Sequence, residues 1–246
     1  MLTDDWRMGG EHDRLTAAEA ASVIGWWIEA GVDVAIQEMP RAWLGSPAAS
    51  TSAPEPHFTA PDERPQELPN SLDAFRDWLS ASPSLPLAKS NARRVLPIGA
   101  EAAEVMLLAD MPTQEDVTGD QPIAGPSWQL AERMLAAIGF TAEQAYLASL
   151  SCFHSPGTRL SGEDLDACAA IARRHIALAR PKRLLLFGDA TCRALLGKPL
   201  TTARGHVHKV EGVRTVATFH PRFLLDRPSN KALAWRDLLL LMEEEV

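Results

Sequence analysis

Arg183-Leu184-Leu185-Leu186-Phe187-Gly188 sets four large apolar residues in a row between a cation and a glycine. A strand with one wet face alternates apolar and polar residues, so a short unbroken apolar run reads as a strand buried on both faces. Similar runs occur at 103–109, 145–150 and 215–219, and helical patterns at 127–138 and 162–178 stand between them. Strand alternating with helix predicts a three-layer α/β/α fold around a central four-stranded parallel sheet. Ligands of such sheets bind outside the carboxyl ends of the strands, which puts Asp110, Ser149, Gly188 and His220 on one rim.

The 246 residues, 46% of them hydrophobic, suffice for one sizeable core and an appendage. Ala21, Ile24, Trp27 and Ile28 recur at helical spacing, so residues 1–36 are expected to form an N-terminal helical segment. Residues 37–69 are rich in Pro, Ser, Ala and Thr and read as a flexible linker. The α/β domain is then expected over 70–246, opening with Ser71 as the cap of a helix whose apolar face is Leu72, Phe75, Trp78 and Leu79. A closing helix over 230–244 carries Leu233, Trp235, Leu238, Leu239 and Met242 as packing residues.

Several function classes lose support at once. There is no apolar run of ~18 residues, and residues 1–13 are charged, which predicts a cytoplasmic protein with no membrane partner. Cys152, Cys168 and Cys192 are odd in number and widely spaced, so they read as reduced thiols rather than a disulfide framework or a metal site. A net charge of −8 argues against tight non-specific nucleic-acid binding, leaving room for local basic patches. No Gly-rich phosphate loop, His-Glu-x-x-His or Gly-x-Ser-x-Gly is present, so nucleotide hydrolysis, zinc proteolysis and serine esterase chemistry have no motif.

Thr218-Phe219-His220-Pro221-Arg222-Phe223-Leu224-Leu225 ends an apolar run in a His-Pro pair and opens another. A histidine there either caps a turn or faces a cleft as a neutral donor toward developing negative charge, and both readings stay open on this segment alone. Leu108-Ala109-Asp110-Met111-Pro112-Thr113-Gln114-Glu115-Asp116, followed by Gly119, Pro122, Ile123 and Gly125, reads by itself as an acidic loop after a strand. Tyr146-Leu147-Ala148-Ser149 runs into Leu150-Ser151-Cys152-Phe153-His154-Ser155-Pro156-Gly157-Thr158-Arg159, and Arg204-Gly205 precedes the final hairpin.

In order and spacing these segments, from Ala103 to Leu241, resemble the uracil-DNA glycosylase superfamily, particularly its bacterial iron–sulfur branch. The resemblance implies excision of uracil or a related damaged base from DNA, with His220 contacting the departing base and Asp110, or as lesser candidates Glu115 or Asp116, orienting water or stabilising the sugar cation. It implies Met111, Pro112, Ile123 and Ser149 as the base pocket, and Pro221, Arg222, Phe223 and Leu224 as DNA contacts. Ser149 stands where the family pairs the base through asparagine, and Ile123 where it stacks an aromatic ring, so weak or altered activity is expected. Phe153 stands at a cluster-ligating cysteine and residues 85–97 hold no cysteine, so no cofactor is expected and the cluster should be absent. A monomer acting on DNA is expected. The alternative is a catalytically inactive fold that serves as a DNA-binding or protein-interaction module, with Trp26, Trp27 and Trp43 of the N-terminal arm as partner surface.

Overall fold

The computed structural model describes residues 68–88, 92–160 and 162–243, together with Ser22. The chain divides into two units, Met1–Asp62 and Glu63–Val246, and every element below belongs to the second. The helix expected within 1–36 and nearly all of the 37–69 linker lie outside the described residues.

Helix α1 (Leu72–Ala81) starts where the sequence indicates: the Ser71 hydroxyl accepts the Ala74 N–H at 3.3 Å, and Leu72, Phe75 and Leu79 turn inward. The elements that follow are β1 (Val105–Ala109), α2 (Gln114–Gly119), α3 (Gly125–Ala137), β2 (Ala145–Ser149), α4 (Gly162–Ala179) and β3 (Arg183–Phe187). Then come α5 (Asp189–Leu196), α6 (Leu200–Ala203), β4 (Val207–Val210), β5 (Val213–Thr218), α7 (Pro221–Asp226) and α8 (Lys231–Met242). The strands form one sheet in the order β2-β1-β3-β5-β4. Four of its strands are parallel, as expected, and β4 adds a fifth, antiparallel to β5 at the edge. Only Val210 of its four residues is buried, which is why no buried apolar run marks it.

Side chains alternate cleanly between two apolar layers. Met106, Leu108, Tyr146, Leu184 and Leu186 pack on one face against Cys168, Ala172 and Ile176 of α4 and Leu195 of α5. Val105, Leu107, Leu147, Leu185 and Phe187 pack on the other against Leu135 of α3 and Leu238 and Leu241 of α8. Each fully buried aliphatic or aromatic side chain contributes about 1.5–3 kcal/mol, and β1 is apolar throughout.

The topology positions the site. The chain leaving β1 crosses to the α3 face, whereas the chain leaving β3 crosses to the α5 face. The two exits diverge and leave a crevice between the carboxyl ends of β1 and β3, the switch point at which such sheets bind ligands. Gly188 makes the second exit possible, because it sits at φ +92° as the cap of α5, a backbone region hostile to a Cβ.

Candidate active site

Asp110 is the residue after β1, and Ser149, the last residue of β2, pairs with its neighbour Ala109 in register. The Leu150 N–H donates to the Ala109 carbonyl at 2.9 Å and the Ser151 N–H to the Asp110 carbonyl at 3.2 Å, zipping the two strand ends together. Each of these side chains carries a buried polar atom with no hydrogen-bond partner: Oδ1 of Asp110 and Oγ of Ser149. Such groups cost about 1–3 kcal/mol each if left unpaired.

His220 follows β5 and caps α7, and Pro221 fills the first helical position where a missing N–H costs nothing. Its Nδ1 accepts the Arg222 N–H at 3.1 Å. An imidazole nitrogen that accepts a backbone N–H carries no proton, so the neutral ring holds its proton on Nε2. The ring is only 8% exposed and meets Phe187 edge-on at 5.7 Å. Burial, reinforced by the Arg222 cation and opposed by Asp116, pulls its pKa down to about 3. His220 is therefore a cap through Nδ1 and a neutral ring with its proton on Nε2, and it is more enclosed than a cleft-facing side chain.

Arg222 links the two ends of the site: its backbone holds His220, and its guanidinium lies 3.8 Å from Oδ1 of Asp110. The acidic loop expected after β1 is instead a short helix. Thr113 and Asp116 form a capping box in which Asp116 Oδ2 accepts from the Thr113 N–H and hydroxyl at 2.7 Å each, and Oδ1 accepts the Ala124 N–H at 2.6 Å. Asp116 is thus consumed by structure, leaving Asp110 as the carboxylate with an unbonded oxygen. Glu115 lies against Gly125, at φ +55°, where a Cβ would collide with its carboxylate.

Asp110 and Met111 wall a cleft of about 640 Å³ at the β1–β3 switch point, opposite Arg159, Leu165, Asp189 and Arg193. Ser149 lines a much smaller void behind β2, beside Cys152 and His175. Ile123 is fully buried in the α3-side layer, and neither it nor His220 lines either space. Asp110, Ser149 and His220 thus lie along one rim without lining one cavity, and Ile123 sits behind it in the core. In α7, Pro221 and Leu224 are buried, Leu224 at 1%, whereas Leu225 is 39% exposed. Phe223 stacks on Phe219 at 5.0 Å, with Arg227 over Phe223 and Arg204 over Phe219. The side chains of α7 that face outward are therefore Arg222 and Phe223 in part and Leu225 and Asp226 more fully, and Leu224 serves the core.

The region in which a cysteine-ligated cluster would have to sit is apolar. Phe153 is 1% exposed and packs with Phe75, Leu79, Leu85 and Cys152. Burial pushes the Cys152 thiol up to about 11 and Cys168 up to about 12, so neither is a ready thiolate. Among the described residues, no three His, Cys, Asp or Glu side chains gather as metal ligands. The donors present do not fit a four-thiolate cluster. Among those same residues, no helix is long and apolar enough to cross a membrane.

A second histidine behaves like His220. His175 on α4 shares a 2.7 Å hydrogen bond with the Tyr146 hydroxyl, and burial, with the Arg76 cation adding to it, pulls its pKa down to about 3. Both imidazoles bind a proton less tightly when folded than at their ordinary value of 6.5. Their contribution to stability is therefore complete above pH 6.5 and is lost as pH falls toward 3. Each should cost about 1.4 kcal/mol per pH unit across that window. Urea midpoints at pH 7 and pH 5 should differ accordingly, and equal midpoints would contradict the buried neutral state of the pair.

Fold and site together define a parallel α/β protein with a neutral imidazole donor and an unbonded carboxylate at the carboxyl edge of its sheet. Residues 96–239 match the model of the uracil DNA glycosylase superfamily, and the chain belongs to that family. Its curated relatives include the type-4 uracil-DNA glycosylase of Archaeoglobus fulgidus, 24% identical over 64% of this chain and 85% of the relative. The type-4 enzymes of Pyrobaculum aerophilum and Sulfurisphaera tokodaii are 22% and 21% identical, over 69% and 71% of this chain and 92% and 84% of their own lengths. The likeness thus reaches the type-4 branch anticipated from the motifs.

Proposed function

We propose that this protein hydrolyses the N-glycosidic bond of uracil, or of a related damaged base, in DNA. In that reaction the C1′–N bond breaks as the sugar becomes cation-like, water adds to C1′, and the base leaves carrying negative charge that a proton finally neutralises. His220 donates its Nε2–H to the base oxygen on which the charge collects, and being neutral it does so without first giving up a proton. Asp110 orients the water or faces the sugar cation through Oδ1. The observation that carries this reading is the His220 tautomer, fixed by the 3.1 Å bond to the Arg222 amide.

Met111, Pro112, Ile123 and Ser149 form the base pocket in this reading, with Ser149 offering one hydroxyl in place of a two-point amide and thus weaker discrimination among bases. Arg222 and Phe223 meet the DNA, and Leu225 presents the apolar wedge that buried Leu224 cannot. Pro221 fixes the entry of that helix. Because His220 is enclosed, the base reaches it only as the α7 and β1 turns part on DNA, a step that fits slow or selective turnover. No iron–sulfur cluster takes part, since Phe153 and its apolar neighbours occupy the ground such a cluster needs.

The test is to incubate the protein, with and without chelator, with single- and double-stranded oligonucleotides holding one uracil, and to cleave abasic product with alkali. Strand cleavage that survives chelation is expected. A second reading, binding without hydrolysis, draws on the failure of Asp110, Ser149, Ile123 and His220 to line one cavity. Intact oligonucleotide at excess protein, together with retention of the DNA, would replace the first reading by the second.

A further inference from the structure

The cleft beside Asp110 is lined in part by the turn after β1, through Asp110 and Met111, and by the loop after β2, through Thr158, Arg159 and Leu160, and one side chain joins these two segments. His154 places Nδ1 2.8 Å from the Pro112 carbonyl oxygen. A carbonyl only accepts, so the His154 Nδ1 carries the proton and donates it. Pro112 is buried and, being proline, contributes no N–H of its own to anchor the turn. The main chain ties the strand ends through the Leu150 N–H to the Ala109 carbonyl at 2.9 Å and, beyond it, through the Ser151 N–H to the Asp110 carbonyl at 3.2 Å, the latter at the long end of the range. From the other side the loop is held by the Val95 N–H donating to the Cys152 carbonyl at 2.9 Å, which leaves His154 as the side-chain link toward the reacting edge.

We infer that His154 is a positioning residue: through Pro112 it holds the Asp110 carboxylate in place at the rim. The inference rests on the glycosylase reading for its consequence in turnover, but the pin itself is a property of the fold. A carboxylate displaced by about 1 Å from its working position loses on the order of 100-fold in rate without losing its substrate. His154 touches neither base nor sugar in this account, so DNA affinity should change little.

The experiment compares His154→Ala, His154→Asn and His154→Gln in the full chain. An asparagine amide nitrogen occupies the place of the histidine Nδ1, whereas a glutamine amide nitrogen falls at Nε2, out of line with the carbonyl. Expected is a fall in kcat of about 10- to 100-fold for Ala and Gln with KM within about threefold, and recovery to within about threefold of wild type for Asn. Equal kcat in Ala and wild type, or equal loss in Asn and Gln, would overturn the positioning role. Hydrogen exchange of the Ser151 amide supplies a readout that needs no catalysis: it should quicken in His154→Ala and recover in His154→Asn. An unchanged amide overturns the pin itself, whereas a quickened amide in a chain that releases no base leaves the pin standing and sinks the glycosylase reading instead.

Discussion

Replacing His220 by asparagine should reduce single-turnover release of uracil by about 10²–10³-fold while leaving the melting temperature close to that of wild type. Two functions of one ring separate in this variant. Asparagine is a good helix N-cap, so the bond to the Arg222 amide, made by Nδ1 in the native chain at 3.1 Å, survives. What disappears is the outward Nε2–H, and removal of one preorganised donor to a developing oxyanion typically costs about 2.7–4 kcal/mol of transition-state stabilisation. His220→Ala should lose the same factor in rate and, in addition, about 1 kcal/mol of stability with the cap. An asparagine variant that releases uracil at the native rate would show that the ring serves only to start α7, and the carboxylate alone would have to carry the chemistry.

The largest effect on stability is expected at Asp237. This carboxylate is 1% exposed and accepts the Thr218 hydroxyl at 2.7 Å and Nε and Nη2 of Arg204 at 2.8 and 2.7 Å. Arg204 is itself mostly covered and lies over the Phe219 ring at 4.1 Å, beside the Phe223 stack. Asp237→Ala therefore strands a buried guanidinium and a buried hydroxyl, which costs about 3–5 kcal/mol. For a domain of this size that is on the order of 10 °C in melting temperature. Asp237→Asn keeps an acceptor for one of the two partners and should lose less. Because the network holds Phe219, next to His220, both variants should also turn over more slowly below their melting temperatures. A melting temperature within about 2 °C of wild type for the alanine variant would show that Arg204 finds another partner or reaches water.

The four parallel strands are readable because each is an apolar run, β1 cut off by Asp110 and β3 by Gly188, and burial on both sides leaves no other use for such a run. The rim residues followed from that alone, since the carboxyl ends of parallel strands must lie together. Helix α2 escaped because its single buried side chain is Asp116, so no apolar period marks it; the signal was the Thr113-x-x-Asp116 spacing of a capping box. Helix α7 showed itself only in Pro221 after a capping residue, and with six residues its phase could not be told, so Leu224 rather than Leu225 was placed outward. His154 had no signal at all, because a single bond from a side chain to a distant carbonyl leaves no trace in spacing. The enclosure of His220 is hidden for the same reason: it depends on packing against Phe187, which is far away in sequence.

All of this turns on which nitrogen of one ring holds the proton. Two-bond nitrogen–proton correlation spectra of protein labelled with ¹⁵N-histidine, recorded from pH 4.5 to 8, read that directly. His220 should appear as a neutral ring protonated at Nε2 throughout, with His154→Asn and His220→Asn variants supplying the assignments. A His220 signal that titrates near the ordinary histidine value, or one that bears its proton on Nδ1, would contradict the account.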